Sequence, residues 1–201
     1  MTDREASVQA PLILGPEDAG RVVSAEEFAS AVFVGAFKPE RVGGRLTVMA
    51  PDGTEHIRAS NPWRDRLILY KYQHPGEVEE VVTGAWVRVE GGTDRIGDIG
   101  VYLVKDPPTF DVPDQVPDLM FEVVSPGRES RDRDYVEKRD EYHRLGVREY
   151  VIIDRFAGAV TVLTQAPGGY LGRVLGRGEV YTSPLLPGLA IPLAEVLPEL
   201  S

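Results

Sequence analysis

The stretch "PDLMFEVVSP", Pro117–Pro126, carries the strongest fold signal in the chain. Its apolar run is short and bounded by prolines, which reads as a strand buried on both faces. Side chains alternate along a strand, so Leu119, Phe121 and Val123 share one face. Met120, Glu122 and Val124 share the other. Glu122 is therefore a carboxylate among apolar neighbours. An unpaired buried carboxylate is costly and takes up a proton instead. It needs a cation, a hydrogen-bond partner or water. A core salt bridge or a solvated edge position would meet that need as well as a functional site would.

The rest of the chain is read outward from this strand. At 201 residues and 42% hydrophobic content it is long enough for one domain with a sizeable core. Residues 1–22 read as an irregular arm and residues 23–201 as a single domain. No apolar run approaches the roughly 20 residues of a membrane span, and the N-terminus lacks a signal-peptide pattern. The chain has no cysteine, so disulfides and thiolate metal sites are excluded and a cytoplasmic location is the default. A net charge of -10 argues against loose electrostatic binding to nucleic acid.

Ser24 followed by Glu27 is a capping-box pattern for a first helix from Ala25. Gly43-Gly44 reads as a hairpin turn. A second helix is expected within Glu55–Tyr72, interrupted at Asn61-Pro62. "VEEVVTGAWVRVE" and "DRIGDIGVYLV" alternate like strands, and Lys105–Pro117 is a proline-rich connection. "RESRDRDYVEKRDEYHRLG" reads as a helix with cap candidates Ser130 and Asp132 and a terminating Gly146. "REYVIID" and "AVTVLTQ" form a strand pair. Shorter strand signals and a proline-containing tail follow. This mixture predicts an α/β (α+β) domain with a mixed sheet.

Asp98 repeats the oddity of Glu122, flanked by Ile96, Ile99 and Val101. A turn role helped by Gly97 and Gly100 is the alternative. Neighbouring strands lie about 4.8 Å apart, so two such carboxylates can converge on one hard cation. Asp118 lies about 13 Å from Glu122 along one extended strand, too far to share that ion. It reads as a strand-start residue. On the following helix Lys138 falls within the apolar stripe of Tyr135, Tyr142 and Leu145, with Asp134 one turn earlier. It either snorkels over the core edge or aims its ammonium at Glu122.

These residues carry a resemblance. "DIGVYLV", "PDLMFEVVSP", "RDYVEK" and "EYHRLGVREYVIID", with the upstream "PERVGGRLTVMAP" and Glu55-His56, resemble the Uma2-type (DUF820) family of restriction endonuclease-like proteins. The likeness covers roughly residues 24–165. It implies the PD-(D/E)XK nuclease fold, a mixed central sheet flanked by helices with a magnesium-dependent site. It further implies that Asp98 and Glu122 are metal ligands and that Lys138 is the lysine displaced onto the next helix. Glu40 is a weaker ligand candidate, and His56, Asp134 and Tyr142 are supporting residues. Gly97 departs from the proline usual before the aspartate, and Val124 stands where the standard lysine would be.

Other candidates are weak. His56, His74 and His143 are scattered, so histidine-based metal binding is not expected. Asp154 reads as a turn or cap residue. No phosphate loop or nucleophile elbow is present. Basic and acidic residues balance along Arg128–Arg148, as on a solvated helix. The expected function is an endonuclease that hydrolyses DNA with Mg2+ or Mn2+, as a monomer or homodimer. The alternative is a non-catalytic module of the same fold that binds a protein or nucleic acid.

Overall fold

The computed structural model describes residues 11–105 and 110–198. Residues 1–10 of the expected arm, 106–109 of the proline-rich connection and 199–201 lie outside the described residues. The chain forms two compact units, Met1–Pro51 with Gly91–Asp94, and Asp52–Glu90 with Arg95–Ser201.

In the smaller unit, β1 (Ile13–Leu14) precedes α1 (Ala25–Ser30), and β2 (Val32–Phe33) pairs with β1 in parallel. The capping box forms as expected. Ser24 Oγ accepts the Glu27 N–H at 3.1 Å, and Glu27 Oε2 accepts the Ser24 N–H at 2.7 Å. β3 (Lys38–Val42) and β4 (Arg45–Met49) make an antiparallel hairpin. Its turn residues Gly43 and Gly44 have φ of 56° and 76°, which explains the glycine pair. Arg41 on β3 meets the buried Asp94 at 2.6 Å.

The larger unit contains α2 (Thr54–Gln73), β5 (Val78–Val89), β6 (Thr93–Leu103), β7 (Leu119–Val123), α3 (Arg128–Asp132), α4 (Lys138–Leu145), β8 (Glu149–Asp154), β9 (Ala159–Ala166) and β10 (Gly169–Gly176). Thr93 and Asp94, which open β6, belong to the smaller unit. The sheet runs β10-β9-β8-β7-β6, with β5 beside β6. It is mixed: β7 pairs with β8 in parallel, while β6–β7, β8–β9 and β9–β10 are antiparallel. A separate pair, β11 (Val180–Ser183) and β12 (Leu186–Pro192), precedes a short α5 (Leu193–Val196).

β7 sorts its side chains as the alternation predicts. Leu119, Phe121 and Val123 enter one core cluster with Ala59, Trp63 and Leu67 of α2. Met120 and Val124 enter the other with Tyr142 of α4. Two layers of helix therefore sandwich β7, and Glu122 points to the α4 side.

Three expectations are corrected. α2 runs unbroken through Pro62. Proline inside a helix costs about 3 kcal/mol. His56, Ala59, Trp63, Leu67 and Tyr70 bury at three- and four-residue spacing on both sides of it. Each large apolar residue buried contributes about 1.5–3 kcal/mol, so burial outweighs the break. Ser130 and Asp132 do not cap. The helix starts at Arg128 after Gly127, whose φ is 99°, and Arg133–Glu137 forms a wide π turn before α4. The tail holds β12 despite Pro187 and Pro192, which a two-stranded ribbon tolerates. Among the described residues no helix is long and apolar enough to cross a membrane.

Candidate active site

Glu122 lies on the central strand β7 with only 3% of its surface exposed. Lys138 Nζ donates to its Oε1 at 2.8 Å, and Tyr142 Oη donates to the same oxygen at 2.8 Å. Lys138 and Tyr142 are four residues apart on α4, so one helix face presents both groups to the strand. Lys138 is itself 3% exposed and stands 3.9 Å from Asp134 Oδ1. The π turn carries Asp134 into this buried position.

The cluster is under electrostatic tension. Burial pushes Glu122 up to about 7. The Lys138 ammonium opposes that rise, while the Asp98 and Asp134 charges add to it. Burial likewise raises Asp134, against the pull of Lys138 and Arg133. Tyr150, which lies under the same acids and donates to the Asp134 carbonyl at 3.0 Å, is raised well above its ordinary range by burial and by the neighbouring carboxylates.

Asp98 sits where β6 and β7 part. Their paired residues end at Ile99–Phe121, and beyond that point Asp98 Oδ2 accepts the Val123 N–H at 2.8 Å. Gly97 explains the local packing. A Cβ there would lie 2.2 Å from Met120 Sδ and 3.2 Å from Glu122 Oε1. The glycine thus lets Met120 and Glu122 approach β6, a physical reason for the departure from proline.

The start of α2 adds a second set of groups. His56 Nε2 lies 3.1 Å from Asp98 Oδ2 and 3.4 Å from Asp52 Oδ1. Ser125 Oγ approaches its Nδ1 at 3.5 Å. One donor atom from each of Asp52, His56 and Asp98 falls within 4.8 Å of the others, as a metal centre requires. His56, named by the resemblance as a supporting residue, thus stands among oxygen donors, although the scattered histidines gave no metal-ligand spacing in the sequence.

The structure brings Glu122, Lys138, Tyr142 and Asp134 together, and separately joins Asp98 to His56. Asp52 and Ser125 were missed by the sequence reading. Asp52 precedes His56 by four residues, one helical turn, and that spacing is the only signal that marked it. Glu40 is buried on β3 in the smaller unit, whereas every contact above lies in the larger one. Asp118 is occupied at the start of β7, accepting the Leu103 N–H at 3.0 Å and Arg148 at 3.3 Å.

With this geometry in place, known proteins supply a comparison. The Uma2 family model, described as "Putative restriction endonuclease", matches residues 26–194. A solved structure of a "putative nuclease belonging to DUF820" from Anabaena variabilis superposes with a TM-score of 0.66 at 12% identity, covering 87% of this chain and 97% of that one. That likeness shows the fold. No curated protein matches the sequence significantly.

Proposed function

The chain belongs to the Uma2 family, and on that premise we propose that it is a divalent-metal-dependent endonuclease hydrolysing DNA phosphodiester bonds. The observation that carries this reading is the buried Glu122–Lys138 pair set among further acids. A purely structural pair would balance its charge. Here Asp98 and Asp134 load extra negative charge onto Glu122, and a cation would relieve it.

The donor set fits such an ion. Asp98 and Asp52 offer the hard oxygens that magnesium and manganese take, and His56 adds an imidazole nitrogen, with Glu122 outside that trio. Opposite ligands of an ion bound at about 2.1 Å are about 4.2 Å apart, compatible with the 4.8 Å cluster. Lys138 and Tyr142 both donate to Glu122 Oε1, so neither takes up its Oε2.

When bound, the cation supplies Lewis-acid polarisation of the phosphate and a more acidic water. The chain's own groups do the rest. Lys138 is fixed by Glu122 and Asp134, so its ammonium is held ready to orient a water or to stabilise charge growing on the phosphate. Tyr142 locks the Glu122 rotamer. Ser125 and Asp52 orient the His56 ring.

Cleavage of plasmid and single-stranded DNA with magnesium or manganese tests the reading. Wild type cuts, and Glu122→Ala and Lys138→Ala do not. Equal cutting by all three proteins would assign the activity to a contaminant and refute the proposal.

A further inference from the structure

A concave feature lies outside the Glu122 site. A cavity of about 260 Å³ opens between α4 and the β9–β10 hairpin, walled by Arg139, His143, Arg144, Gly168, Gly169 and Tyr170. Asp140 is its single acidic wall residue. In a chain of net charge -10, this local excess of positive charge runs against the average. The side chains of Arg139 and Arg144 are exposed, and neither makes a hydrogen bond or ion pair among the described residues. Many of the other arginines are spent on carboxylates, among them Arg41, Arg88, Arg95 and Arg131.

The walls between the two arginines are fixed. The His143 ring makes an edge contact with Tyr170 at 5.1 Å, and its Nε2 lies 3.1 Å from the Ala166 carbonyl, a donor position. Tyr170 Oη donates to the Val147 carbonyl at 2.7 Å. Gly168, with φ of 85°, turns the hairpin tip, and a Cβ there would meet nothing within 4 Å, so the rim is low and open. The cavity is smaller than the roughly 300–1,000 Å³ of pockets that take drug-sized ligands. Its size and its free guanidinium forks suit one phosphate group.

We infer that this pocket binds a phosphate of the nucleic-acid backbone and so helps to hold the substrate across α4. The inference rests on the nuclease reading for its substrate. Lys138 and Arg144 are six residues apart on one helix, about 9 Å along its axis. The balanced composition of Arg128–Arg148 hides this arrangement, because apart from Asp140 several of the segment's acids turn elsewhere. Glu137 and Glu141 engage Arg95, and Asp134 faces Lys138.

The test is binding of a fluorescent duplex oligonucleotide to the full chain in EDTA, across a range of salt, for wild type and Arg139→Gln/Arg144→Gln. Both side chains are exposed, so an unchanged melting temperature is expected. Loss of the one phosphate contact weakens binding roughly eight-fold near 0.1 M salt and flattens the log–log salt slope by about 0.9. Equal affinity and slope in both proteins, or no wild-type binding, would overturn the inference. A parallel titration with inorganic phosphate separates the sources. Phosphate binding that needs both arginines, with oligonucleotide binding unaffected, would make the pocket a small-anion site and overturn the backbone assignment. Arginine-dependent oligonucleotide binding without wild-type cleavage in any metal would sink the nuclease reading and keep the pocket.

Discussion

Replacing Glu122 by glutamine separates charge from shape. The amide is nearly isosteric, and its oxygen can still accept from Lys138 and Tyr142. Burial holds the native carboxyl at about 7 against an ordinary 4.5. That gap is worth about 3 kcal/mol between the two protonation states. A carboxyl raised on folding contributes stability that is complete below its unfolded pKa and is lost as pH rises through its folded pKa. The window therefore runs from 4.5 to about 7. Wild type should lose about 2–3 kcal/mol through this residue between about pH 5 and pH 9, and Glu122→Gln should lose none of it. Relative to their difference at acid pH, the variant gains that amount at alkaline pH. Urea unfolding in EDTA at a series of pH values measures it directly. At this chain length each kcal/mol is roughly 2–4 °C in Tm, so melting curves would also resolve it. A variant-minus-wild-type difference that is flat across this range would refute the claim that Glu122 is a strained, buried acid.

Three further substitutions probe the same frame. Lys138→Met strips the ammonium from Glu122 and Asp134 and should destabilise the fold by about 3–5 kcal/mol at neutral pH, read by chemical denaturation. Gly97→Ala drives a methyl into the buried Met120 and towards Glu122, so a loss of about 1–3 kcal/mol is expected from the same assay. Pro62→Ala restores a helical N–H in the middle of α2 and should raise stability by up to about 3 kcal/mol, visible as a higher Tm.

The central strand and its partner lysine were legible in the sequence because each violated a local rule. Glu122 interrupted an apolar run, and Lys138 interrupted an apolar stripe. Periodicity fixes which face a residue takes, and the faces taken on β7 and α4 bring the two into contact. Asp52 and Ser125 broke no rule. Polar residues beside glycine and proline look like ordinary loop, and only the tertiary approach of α2 to β6 gives them a purpose. The continuity of α2 was hidden for the opposite reason. Pro62 is a strong local signal, and long-range burial of Trp63 and Leu67 overrides it. The basic pocket was masked by composition, since counting charges along α4 cannot show that Arg95 draws two of the acids away.

The proposed function requires that these buried acids hold a cation. Calorimetric titration of magnesium and of manganese into wild type and Asp98→Asn tests it most directly. Asparagine can still accept the Val123 N–H, so the strand end is preserved. Wild type should bind a divalent ion saturably, and the variant should lose that binding. No binding at millimolar ion, or equal binding by both proteins, would contradict it.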